Sequence, residues 1–251
     1  MTSRLAIAIV LAATSAISLA PTAGANQVGA YPTTIGAVLG DHSYIHQPLA
    51  VENGTYARVY NVTATLPDGD FIQAGYLDPA SSYTDICGGH GWAWFVTILF
   101  ASGGWGGPKL YNTGGCGLSG SHWFRTRVTF DYYDHGQAIY AWTFELDGTP
   151  IGPALYSLYN TFDRSTADIF SEIVDTQPPP TGAGFPTAEY GTALGVKLTD
   201  GSWHDIAHGQ FFHTSDAGCP PYHMQVLGTN DVETYRSLAS TSCYHNGDQL
   251  W

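Results

Sequence analysis

The sequence predicts an all-β fold, a sandwich or barrel of short antiparallel strands, on three observations. Apolar and polar residues alternate with period two in one segment after another. Turn signals such as Asp-Gly separate these segments about every 10 to 14 residues. Beyond residue 25 no run shows the 3.6-residue period of a helix.

Residues 1–25 stand apart from this pattern. Arg4, an apolar run from Leu5 to Ala20 and the small-residue site Ala23-Gly24-Ala25 make a secretory signal peptide, which places the rest of the chain outside the cell. Residues 26–215 are expected to form the β domain, and 216–251 a C-terminal appendage pinned to it by a disulfide. No later segment is apolar for long enough to span a bilayer as a helix, so the mature form is expected to have no membrane partner and to be a monomer.

Without the leader's Arg4 the 8 Lys+Arg become 7, against 21 Asp+Glu, and the formal net charge moves from −13 to −14. A surface of this sign repels polyanions, which excludes nucleic acid as a partner. Asp outnumbers Glu 16 to 5, as expected where many side chains bond their own backbone at turns.

In an exported chain, Cys87, Cys116, Cys219 and Cys243 read as two disulfides. Three pairings are open. Cys87 with Cys116 and Cys219 with Cys243 is preferred, because those loops are short and cost the least entropy to close. No Cys-x-x-Cys spacing points to a metal. The pairs His42/His46 and His204/His208 lack a third ligand, so no metal or other cofactor is expected.

Taken in order, residues 26–50 are rich in Gly, Pro and Thr and read as an edge segment. Tyr56 to Leu66 alternates as a strand, the turn Pro67-Asp68-Gly69 follows, and Phe71 to Leu77 runs back. Trp92 to Phe100 is apolar on both faces, as in a strand covered on both sides. The glycine-rich stretch from Ser102 to Gly120 reads as a surface loop, with Trp105, Tyr111 and Trp123 nearby to floor a groove or to pack on a sheet. Arg125–Tyr132 and Gln137–Leu146, punctuated by Asp134-His135-Gly136 and Asp147-Gly148, form a meander. Residues 156–163 are ambiguous and have room for a short helical turn. Ala167–Val174, Tyr190–Leu198 and His204–His213 complete the strands.

Two strands carry candidate chemistry. Gln73 shares a face with Phe71, Gly75 and Leu77, and Gly75 clears space beside its amide. Glu172 shares a face with Asp168, Phe170 and Val174, and apolar neighbours would raise its pKa toward a range useful for proton transfer.

The stretches I-Q-A-G at 72–75 and A-D-I-F-S-E at 167–172 resemble the catalytic strands of secreted glutamic peptidases. The fungal eqolisin type is similar in both motifs and in their order. The plant neprosin type is similar in the I-x-A-G-aromatic setting and in the leucine-bearing stretch Leu155 to Leu158. Val96 stands where eqolisins carry an acidic residue after A-W-aromatic, and the W-x-G-x-D-G turn is reduced to Pro67-Asp68-Gly69. The resemblance implies a concanavalin-like jelly-roll sandwich with Gln73 and Glu172 on neighbouring strands as the catalytic pair. It also implies substrate contacts from Trp94 and Trp92, a polypeptide substrate and hydrolysis at acid pH. Two alternatives share the fold. A lectin-like carbohydrate-binding module would use the many Trp and Tyr faces. A glycoside hydrolase would need a second carboxylate beside Glu172, for which Glu145 is the candidate.

Overall fold

The computed structural model describes residues 25–32, 36–47, 57–78, 92–101, 109–174, 188–207, 210–215, 222–228 and 230–236. Their strands are β1 (Ala25–Pro32), β2 (Ala37–Ile45), β3 (Ala57–Thr65), β4 (Phe71–Asp78), β5 (Ala93–Phe100), β6 (Lys109–Cys116), β7 (His122–Asp134) and β8 (Gln137–Leu146). The chain continues with β9 (Thr149–Ser157), β10 (Phe162–Asp163), β11 (Asp168–Val174), β12 (Ala188–Leu198), β13 (Trp203–Asp205), β14 (Phe211–Ser215), β15 (Tyr222–Val226) and β16 (Val232–Arg236). Among the described residues there is no α-helix; residues 156–163 hold no helical turn, and a 3-10 turn follows them at Arg164–Thr166.

Two antiparallel sheets form. The first runs β14-β1-β11-β3-β4-β5-β6; the second runs β15-β16-β12-β2-β7-β8-β9, with β10 added to β2 and β13 to β12. They share one apolar core. Val62, Ile72, Ala74, Val96 and Ile169 of the first sheet enclose it with Phe124, Trp142, Phe144 and Val196 of the second, a sandwich-like layering in which each sheet gives one face to the interior.

Local chemistry fixes the hairpins. His135 and Gly136 have φ of 47° and 82°, and Asp147 and Gly148 have 51° and 79°. Two successive positive φ values are what a two-residue turn needs to match the twist of its strands, and Asp and Gly tolerate them. Asp147 is therefore turn chemistry, as its place before Gly148 suggests.

Four expectations are corrected. Residues 26–50 are not an edge segment, since β1 lies between β14 and β11 and β2 between β12 and β7. The glycine-rich stretch contains β6, paired with β5 from Phe100↔Lys109 to Ala93↔Cys116. Its glycines serve a neighbour, because a Cβ at Gly115 would come within 2.4 Å of the Trp94 indole nitrogen. His204 and His213 do not share a strand. β13 pairs with β12 in the second sheet and β14 with β1 in the first, and buried Ile206 anchors the crossing by donating its N–H to the Leu194 carbonyl at 2.9 Å. Residues 222–236 are not an appendage, because β16 pairs with β12 as part of the second sheet.

Candidate functional site

Gln73 is placed by the turn before it. Gly69 has φ of 86°, Leu66 N–H donates to the Asp70 carbonyl at 2.8 Å, and Asp68 Oδ1 accepts the Asp70 N–H at 3.1 Å. This closes β3 onto β4 in a fixed register, with Thr63 opposite Gln73. The same register continues outward: Gln73 is opposite Thr97 of β5, Thr97 is opposite Asn112 of β6, and Thr63 is opposite Asp168 of β11.

Asp168, Thr63, Gln73 and Thr97 thus form one cross-strand row. Directly opposed residues share a face. The flanking positions Val62, Ala74, Val96 and Ile169 belong to the intersheet core, so the polar row lies on the other face of the first sheet.

The row is covered, and Gln73, Thr63 and Thr97 each have zero exposure. Neither Nε2 nor Oε1 of Gln73 has a hydrogen-bond partner among the described residues, and the same holds for Thr63 Oγ1. A buried polar atom left unpaired costs on the order of 1–3 kcal/mol. Most such groups are satisfied, and the exceptions require a reason. Two adjacent orphans facing the same way are suited to grip a peptide group, which offers one donor and one acceptor.

Glu172 lies on β11, opposite Gln27 and Val59, and its side chain falls outside the described residues. Its backbone position is four residues beyond Asp168, so parity puts it on the face of Gln73. The expectation that the two occupy neighbouring strands is corrected, because β3 separates β4 from β11. Four residues along the strand is roughly 13 Å and two strand spacings roughly 10 Å, so the two Cα atoms are roughly 16 Å apart.

The carboxyl in Gln73's own row belongs to Asp168. It is half-buried at the start of β11, and burial together with the charge of Asp41 raises its pKa above the carboxylate range. Asp41 lies on β2 of the second sheet and acts on it through its charge. It is fully buried, accepts a hydrogen bond from the Thr126 hydroxyl, and has no partner for Oδ2 among the described residues. Desolvation pushes its pKa up to about 7 against the lowering effect of the Thr126 bond. Asp41 carried no sequence signal of its own, since its partner Thr126 is 85 residues away. Asp168 was visible only as a face-mate of Glu172.

Trp92 and Trp94 are not near Gln73. Trp92 is 8% exposed within the intersheet core, edge-on to Tyr76. Trp94, opposite Tyr76, packs against that core with its indole over Gly115. Both therefore serve the interior, on the face opposite Gln73, because period-two alternation separates them from Phe95 and Thr97. The glycosidase pair also separates. Glu145 is on β8 of the second sheet and Glu172 on β11 of the first. Glu145, 3% exposed, is ion-paired with Arg127 Nε at 2.7 Å.

The histidines are otherwise engaged. His42 stacks on Trp203 at 4.2 Å and meets Trp123 edge-on at 4.8 Å, with Arg125 over both indoles. Burial holds its pKa down at about 4, against a hydrogen bond to Asp205. His46 contacts Ser121 Oγ at 3.2 Å and Glu189 at 3.5 Å. Trp123 belongs to this cluster on the second sheet and not to a groove beside Gln73. Cys116 is disulfide-bonded, while Trp105, His208, Cys87, Cys219 and Cys243 lie outside the described residues.

No family model matches the sequence, and no curated protein matches it. Solved structures similar to the chain include scytalido-glutamic peptidase with a peptide-based transition state analogue, at 11% identity and TM-score 0.46, covering 86% of this chain and 98% of that one. A second is SCP-B, a member of the eqolisin family of peptidases, in complex with the tripeptide Ala-Ile-His, at 10% identity and TM-score 0.46, with the same coverage. A third is scytalido-glutamic peptidase with a transition state analogue inhibitor, at 14% identity and TM-score 0.45, covering 85% of this chain and 98% of that one.

Proposed function

We propose that this chain is an exported glutamic-type endopeptidase that cleaves polypeptides at acid pH on a concanavalin-like jelly roll. The observation that carries the reading is the Gln73 amide, wholly buried with neither polar atom paired among the described residues, on the face that also holds position 172. Side chains of this length each reach roughly 5 Å from Cα. A peptide group and its attacking water laid over β3 would fill the gap between the two positions.

In that gap the Glu172 carboxylate takes a proton from the water as its oxygen bonds to the peptide carbon. It returns the proton to the amine nitrogen as the C–N bond breaks. The Gln73 N–H donates to the oxyanion formed in between. The chemistry asks for no metal ligand and no covalent intermediate.

The test is incubation of the exported chain with denatured casein from pH 3 to pH 8. Fragments that appear with the wild type and not with Glu172→Gln support the reading. Equal cleavage by both proteins, or none by either, rejects it.

A further inference from the structure

We propose that Asp168 is a positioning residue of the Gln73 site, acting through the Thr63 hydroxyl on the peptide group that Gln73 holds. The inference rests on the peptidase reading above and adds to it a residue and a pH dependence.

The geometry is the row itself. Asp168 is opposite Thr63 and Thr63 is opposite Gln73, in strands whose pairing has no bulge. Opposed Cβ atoms in such pairs are about 5 Å apart, within reach of a hydrogen bond between the side chains they carry. Thr63 and Gln73 are fully buried with their side-chain polar atoms unpaired among the described residues, so the row is a chain of donors and acceptors waiting for an order. A protonated Asp168 supplies that order. It donates to Thr63 Oγ1, the Thr63 hydroxyl donates to Gln73 Oε1, and the amide is fixed with its N–H groups toward the oxyanion.

Ionisation reverses the chain. A carboxylate only accepts, so Thr63 turns its proton toward Asp168 and the amide of Gln73 loses its orienting bond. Burial first, and then the charge of Asp41 on the second sheet, favour the protonated form of Asp168. Its neighbours in register are Tyr31 of β1, whose own pKa is raised by burial and then by the charge of Asp168, and Thr63 of β3. The site should therefore lose activity on the alkaline side as Asp168 loses its proton.

The experiment is the pH–rate profile of casein hydrolysis for wild type, Asp168→Asn, Asp168→Leu and Thr63→Val. Asn keeps the shape and donates at every pH, so its alkaline limb should move upward by about one pH unit or more with kcat kept at acid pH. Asp168→Leu and Thr63→Val should each lower kcat about 10-fold or more with KM within about twofold, and the double variant should be no worse than either alone. A purely structural Asp168 would leave the profile where it is, with losses tracking melting temperature, and that result overturns the proposal while the peptidase reading stands. If the wild type cleaves nothing between pH 3 and pH 8, both fall.

Discussion

By strand register, position 172 of β11 and Gln73 of β4 fall on the same face of one sheet with a single strand, β3, between them. On the proposed peptidase reading a reacting group lies over β3 between the two, and each should be needed in its own way. Glu172→Gln keeps size and hydrogen bonding but cannot accept the water's proton, so turnover should fall by orders of magnitude with the melting temperature unchanged. Gln73→Ala should lower kcat about 100-fold, the usual cost of removing an oxyanion donor. It should also leave the fold intact or firmer, because it removes a buried amide that has no partner among the described residues. Initial rates beside thermal melts of the same samples check both.

Stability should fall as pH rises from about 4 toward 8. Asp41 has its folded pKa raised from 3.8 to about 7, so between those values the native state holds a proton that the unfolded chain has released. Each such group costs about 1.4 kcal/mol per pH unit across its window. Asp168, also raised, adds to the trend. His42 opposes it, since its pKa is lowered from 6.5 to about 4 and the unfolded chain binds the extra proton over that interval. The steepest loss should thus fall just above pH 6.5, where the His42 contribution has ended. Melts of wild type and Asp41→Asn from pH 4 to pH 8.5 check this, and the variant should show a flatter decline.

Gly115→Ala tests whether Trp94 is structural. The added methyl would enter the indole at 2.4 Å, forcing the ring out of its place against the core. The expected cost is about 1–3 kcal/mol, as for other overpacked sites, with kcat of the folded protein unchanged. A fall in kcat with an unchanged melt would return Trp94 to the substrate.

Cys116 is bonded, and its expected partner is Cys87, with Cys219 joined to Cys243. Non-reducing peptide mapping should find those two links. Reduction should lower stability by about 3 kcal/mol for each bridge by freeing the unfolded chain.

The sequence by itself determined the all-β class, the main strand boundaries and the turns, because alternation and the positive-φ demands of Asp-Gly and His-Gly are local. It also singled out Gln73, since a polar residue beside Gly75 on an otherwise apolar strand is visible in ten residues. Only the tertiary structure decided which strands are neighbours. It put β3 between the two catalytic candidates, moved Glu145 to the other sheet, turned Trp92 and Trp94 inward and brought Asp168 into the row of Gln73. Those outcomes depend on pairings between residues far apart in the chain, such as Thr63 with Asp168 and Asp41 with Thr126. Alternation tells which residues share a face of one strand, but the strand that lies alongside is chosen by the packing of the whole core.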